Sequence, residues 1–207
     1  MPDFADIGPD KALDLLIECR SFSYKFPKVL SFLVQMAIKL SYDCMDNAEV
    51  VTKALTFGLL TSTQVNERLL KLKMMVLMCE NMMKHDRVHA AHSALIVILN
   101  DLKDHDLNHD GDAQKENQDL LCSLLQIMVQ IPDVHKIVGF EPTRVNQFEE
   151  LLPLLNKVDD NIVNEEMKLK TRMTRHLETM IDGSSANEKW DLLDKESLQK
   201  IRSFFKT

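Results

Sequence analysis

Apolar residues recur three and four positions apart through most of the chain, and the longest unbroken run of that pattern extends from Thr61 to Leu102. Leu69, Leu70, Leu72, Met75, Val76, Met78, Cys79, Met82 and Met83 form one stripe, and Thr61 followed three positions on by Gln64 reads as a capping box that opens the helix. Lys84-His85 interrupts the run. Asp86 is expected to cap the next helix, whose apolar face carries Val88, Ala91, Ala94, Leu95, Val97, Ile98 and Leu99. So short a connection obliges the two helices to lie antiparallel with their stripes facing each other.

Upstream, Pro9 sits where a first helical turn needs no N–H, and Leu13, Leu16, Ile17 and Phe22 continue a helix to about Ser23. Pro27 opens a second through Val29, Leu30, Phe32, Leu33, Met36, Ala37 and Leu40, apolar enough to be buried on more than one side. Asp46-Asn47 marks a turn, and Val50 to Leu59 carry a third helix. Downstream, residues 103–112 are charged and poor in apolar side chains, which reads as a solvated loop. The helical pattern resumes from about Gln114 to Gln130, after which Val134, Ile137, Val138 and Phe140 are expected to tuck against the core. A helix from Thr143 contains Pro153, which should kink or end it; a long helix follows from roughly Asp160 to Ile181, stopped by Gly183-Ser184-Ser185. A terminal amphipathic segment over 188–205 holds Trp190, Leu198, Ile201 and Phe205.

Paired in order, these segments fall at about 9–45, 47–83, 86–130 and 142–181, close to the ~40–47-residue period of HEAT and armadillo units, with no residue-level repeat. The expected fold is all-α: antiparallel helix hairpins stacked as a HEAT-like α-solenoid in a single domain, 1–207, with a compact helical bundle as the alternative. Only five Gly and six Pro leave little room for a sheet-and-turn fold.

Charge and cysteine usage narrow the function. With 32 acidic and 25 basic side chains the net charge is −7, so the long-range field repels phosphate backbones and anionic membrane surfaces, and no nucleic-acid partner is expected. Cys19, Cys44, Cys79 and Cys122 are widely spaced within apolar helical stretches, which predicts reduced, buried thiols rather than disulfides or a zinc site. The acidic N-terminus has no secretory pattern, and charged residues break every apolar run before the ~18 residues a bilayer crossing needs, so a soluble cytoplasmic protein is expected.

Few groups offer chemistry. Asp106-x-Asn108-x-Asp110-Gly111 matches the opening of an EF-hand loop, but the twelfth position, where a bidentate Glu should close the calcium shell, is Asn117, with Glu116 one place early. An acidic solvated loop is the plainer reading. His85, His89 and His92 share a helical face by spacing, yet His85 falls before the helix and no thiol or carboxylate joins them, so no metal site is assigned. Met74, Met75, Met78, Met82 and Met83 could line an adaptable groove for a partner helix, although core filling carries more weight. Lys168, Lys170, Arg172 and Arg175 alternate with Glu165, Glu166 and Glu178 as a salt-bridged face. With no Gly-x-Ser-x-Gly, phosphate-cradling glycine loop or Cys beside an evident base, no catalytic residue or cofactor is expected, and the protein is read as a non-enzyme.

Ile17-Glu18-Cys19-Arg20-Ser21-Phe22, Pro27-Lys28-Val29-Leu30, Arg68-Leu69-Leu70-Lys71-Leu72, His89-Ala90-Ala91-His92-Ser93-Ala94, Gln130-Ile131-Pro132-Asp133-Val134-His135 and Glu150-Leu151-Leu152 together resemble the C-terminal half of the large scaffold subunit of retriever, a relative of the retromer scaffold in vacuolar protein sorting. The resemblance spans about three-quarters of the chain at low identity and has no signature motif. It implies an α-solenoid segment, peripherally associated with endosomes, that sorts and recycles membrane cargo without catalysis and cradles a small subunit of metallophosphoesterase fold. Membrane contact would then be indirect, through the complex. At 207 residues the chain is much shorter than those scaffolds, so their N-terminal contact with an arrestin-fold subunit is expected to be absent. A helical-repeat adaptor outside trafficking, for example in RNA processing, and a metal-responsive helical protein are the competing readings.

Overall fold

The computed structural model describes residues 7–103, 112–130, 144–160, 162, 164–183 and 195–206. Among them the regular structure is helical, with no strand, as the apolar spacing predicts. The chain divides into two compact units, Met1–Asp104 and His105–Thr207, where the sequence reading has one run of stacked pairs. The boundary falls inside the expected pair 86–130 and assigns its two helices to different units.

The first unit holds α1 (Pro9–Ser23), α2 (Pro27–Asp43), α3 (Ala48–Thr63), α4 (Arg68–Lys84) and α5 (Val88–Lys103). Pro9 and Pro27 open α1 and α2, their fixed φ already helical. Asn47 does more than turn the chain: its side-chain oxygen accepts the Val50 N–H at 3.2 Å and caps α3. Each helix packs on the next, while α1 also meets α3 and α2 also meets α4. Those next-but-one contacts define two layers, the arrangement of stacked helix pairs. Leu16, Leu30, Leu33, Met36, Ala37, Leu40, Ala54 and Phe57 form the shared core of the first three helices. Gly58 lets α3 and α4 close: a Cβ there would lie 2.7 Å from Met78 Sδ.

Two expected helix starts are corrected. Thr61 and Gln64 do not open α4. Thr61 belongs to α3, where its hydroxyl donates back to the Phe57 carbonyl at 2.7 Å, Gln64 is the C-cap, and α4 begins only at Arg68. Asp86 likewise ends a helix instead of starting one. Its φ of 56° is left-handed; its N–H donates to Met83 O and the Arg87 N–H to Met82 O, closing a Schellman motif on α4.

The second unit contains α6 (Asp112–Gln130), α7 (Arg144–Asp159), a 3-10 turn (Glu165–Met167), α8 (Leu169–Gly183) and α9 (Lys195–Lys206). α8 packs on α6, α7 and α9, and α9 also on α7, where Phe148 and Phe205 meet edge to face at 5.9 Å. Leu121, Leu124, Leu125, Met128 and Val129 bury α6. Pro153 lies within α7 without ending it. The helix expected from Asp160 starts at Leu169, because Asp159 caps it across the connection: its carboxylate accepts the N–H of Leu169 at 2.7 Å and of Lys170 at 3.0 Å. Val134, Ile137, Val138, Phe140 and Trp190 lie outside the described residues.

Candidate functional site

Among the described residues an open groove lies between α1 and α3, about 330 Å³ in volume. Leu13 and Phe57, both buried, supply apolar contacts, while Ile17 is 45% and Leu60 51% exposed. Thr52 and Thr56 also line it, but their hydroxyls donate to the Ala48 and Thr52 carbonyls of their own helix, so they bring no spare donor. Two cations complete the lining. The Arg20 guanidinium sits over the Phe57 ring at 5.0 Å, and Lys53 pairs with Glu49 at 2.6 Å, which raises the Lys53 amine above its ordinary value and lowers the Glu49 carboxyl. No carboxylate, imidazole or thiol is among the lining side chains. The groove is therefore suited to receive apolar side chains, with the Lys53–Glu49 pair and the Arg20 guanidinium at its edge.

The residues singled out in sequence are dispersed. His85, the C-cap of α4, faces α2: its Nε2 lies 3.0 Å from Ser41 Oγ and its ring 4.9 Å from that of Tyr42. Since the Ser41 hydroxyl proton goes to the Ile38 carbonyl at 2.7 Å, Nε2–H of the neutral imidazole donates to Ser41. Burial, then the Arg87 charge, hold His85 below its ordinary value. His89 is exposed on α5, with His92 farther along the same helix. Among the described residues no group of three His, Cys, Asp or Glu could hold a metal. Asp106, Asn108 and Asp110 lie outside the described residues; Asn117 is buried in α6.

The methionine stripe is core except at its end: Met75 and Met78 are fully buried and Met74 and Met82 nearly so, while Met83 is half-buried. The thiols need correction, since Cys19 is exposed and Cys44 half-buried; only Cys79 and Cys122 are buried. Burial pushes Cys79 up to about 12, and its S–H meets the Ala91 carbonyl at 3.3 Å. The basic face of the second unit is salt-bridged: Lys168 to Glu165, Arg172 to Asp119 and Arg175 to Glu166, with Glu178 taken by Arg202 of α9 at 2.6 Å.

The groove itself was not foreseen. Leu13, Ile17, Phe57 and Leu60 look like ordinary stripe residues along the chain, and only the spacing of α1 from α3 turns them into a site. Also unforeseen is the outward cluster at the α1–α2 turn: α2 packs on α1, α3 and α4, as its apolar breadth predicts, yet Phe22, Tyr24, Phe26, Val29 and Phe32 are exposed.

Fold and site define an all-α protein of antiparallel helix hairpins bearing an apolar groove. No protein-family model, curated protein or solved structure matches the chain.

Proposed function

We propose that the chain is a non-catalytic helical scaffold that holds the apolar face of a partner's helix in the α1–α3 groove. The observation that carries this is the groove lining: exposed Ile17 and Leu60, apolar contacts from Leu13 and Phe57, and no titratable group other than two cations. A helix laid into such a groove buries apolar side chains at i, i+3 and i+4 against Leu13, Ile17, Phe57 and Leu60. The resemblance to the retriever scaffold supplies the setting and the first partner: cargo sorting and recycling on endosomes, and a small subunit of metallophosphoesterase fold.

Titration of the purified chain with that subunit tests the reading. Binding is expected, and Leu60→Asp, which places a charge where the helix lands, is expected to weaken it more than about tenfold. Leu60 is half exposed, so the variant keeps its fold and its melting temperature. Absence of binding, or equal binding by the variant, rejects the reading.

A further inference from the structure

The turn joining α1 to α2 presents side chains that a folded protein ordinarily hides. Phe22 is 74% exposed, Phe26 59% and Tyr24 55%, and Val29 and Phe32 continue the apolar surface along the first turns of α2. Inward-facing Leu30, Leu33 and Val34 already satisfy the core on that helix. The turn is also firmly shaped: Phe26 N–H donates to Ser23 O, and Phe26 O accepts from both Val29 and Leu30.

Charge separates this tip from the rest of the chain. From Cys19 to Tyr42 there is no Asp or Glu, and Arg20, Lys25, Lys28 and Lys39 all fall there, in a protein of net charge −7. Lys39 pairs with Asp43 and Arg20 covers Phe57, whereas Lys25 and Lys28 have no carboxylate partner among the described residues. Elsewhere lysines are commonly matched, as Lys53 is by Glu49, Lys71 by Asp101, Lys84 by Glu80 and Lys200 by Glu196. Lys25 instead lies over the Tyr24 ring at 5.4 Å.

Aromatic rings interleaved with unmatched lysines on a projecting turn fit a bilayer interface. The rings settle at headgroup depth, and the long lysine stems carry their ammonium groups to anionic phosphates. We propose that the α1–α2 turn is a lipid-contacting tip that inserts Phe22, Tyr24 and Phe26 into the headgroup region of an anionic membrane, with Lys25 and Lys28 meeting lipid phosphates. The local surplus of positive charge acts within a Debye length and so prevails over the distant net negative charge. The chain then touches the membrane itself, in addition to any contact made through a partner.

Sedimentation of the full chain with vesicles tests this, using phosphatidylcholine alone or with about 30% phosphatidylserine. Retention is expected on the anionic vesicles at low salt, falling as ionic strength rises. Lys25→Ala with Lys28→Ala is expected to weaken it about 25-fold, and Phe22→Ser with Phe26→Ser at least about tenfold, both pairs melting like the wild type. Leu60→Asp should leave retention unchanged, which separates this tip from the groove. No retention on anionic vesicles overturns the proposal, as does retention indifferent to both double variants. Failure to sediment together with tight binding of a labelled single-stranded RNA, or a tip variant that loses only a protein partner, reassigns the tip and also overturns it.

Discussion

Asp86 occupies the left-handed position that closes α4, with φ 56° and an exposed side chain. A β-carbon is strained there, and a carboxylate at a helix C-terminus opposes the dipole, so both effects favour removing it. Asp86→Gly is expected to raise stability by about 0.5–1 kcal/mol in a urea titration. The thiols are graded by surroundings in the same way. An alkylating reagent followed by peptide mass mapping is expected to modify Cys19 first and Cys44 more slowly, sparing Cys79 and Cys122 until the chain unfolds. Labelling of native Cys79 would contradict its burial, which raises its thiol to about 12. Pro9 and Pro27 were legible because proline fixes its own φ. Asp86 is ambiguous in sequence because a short acidic side chain suits an N-cap and a left-handed C-terminus alike, and only the hydrogen bonds of Arg87 and Asp86 to α4 decide between them.

At the scale of elements, the junction between α7 and α8 depends on one side chain. Asp159 is buried, and its carboxylate takes the first two N–H groups of α8. Asp159→Ala leaves the buried Leu169 N–H without an acceptor and is expected to cost about 2–3 kcal/mol; Asp159→Asn keeps the carbonyl and costs less, by the shift in denaturant midpoint. Equal stability of all three proteins would contradict the cap. This bond spans ten residues, so apolar spacing could not show it, and the helix was expected to begin at Asp160. Thr61-x-x-Gln64 failed for a related reason: at the end of α3 the same hydroxyl donates backward into its own helix. The stripes of α1 to α5 were legible because each is long and periodic. The groove was not, because it is a distance between two of them.

For the molecule as a whole, pH acts through imidazoles kept neutral by folding. Burial, then Arg87, lowers His85 from its ordinary 6.5, and burial lowers His176, whose Nε2 is enclosed with no hydrogen-bond partner among the described residues. The unfolded chain takes up these protons near pH 6.5 while the folded chain resists. The stabilisation is thus complete above about 6.5 and is lost as pH falls toward the lowered folded values. Melting temperature is expected to drop between about pH 7.5 and 5.5, and less so when His85 and His176 are both replaced by Asn; an unchanged slope in that variant would contradict the assignment. The all-helical fold class is legible in the spacing alone, whereas the proposed function rests on the groove and the resemblance. In the proposed function Ile17, Leu60 and their neighbours hold a protein partner. It is tested most directly by recovering the tagged full chain and its Leu60→Asp variant from the source cells and identifying what co-purifies. A metallophosphoesterase-fold subunit is expected with the wild type and its loss from the variant; its absence from both, or its equal recovery with both, contradicts the proposed function.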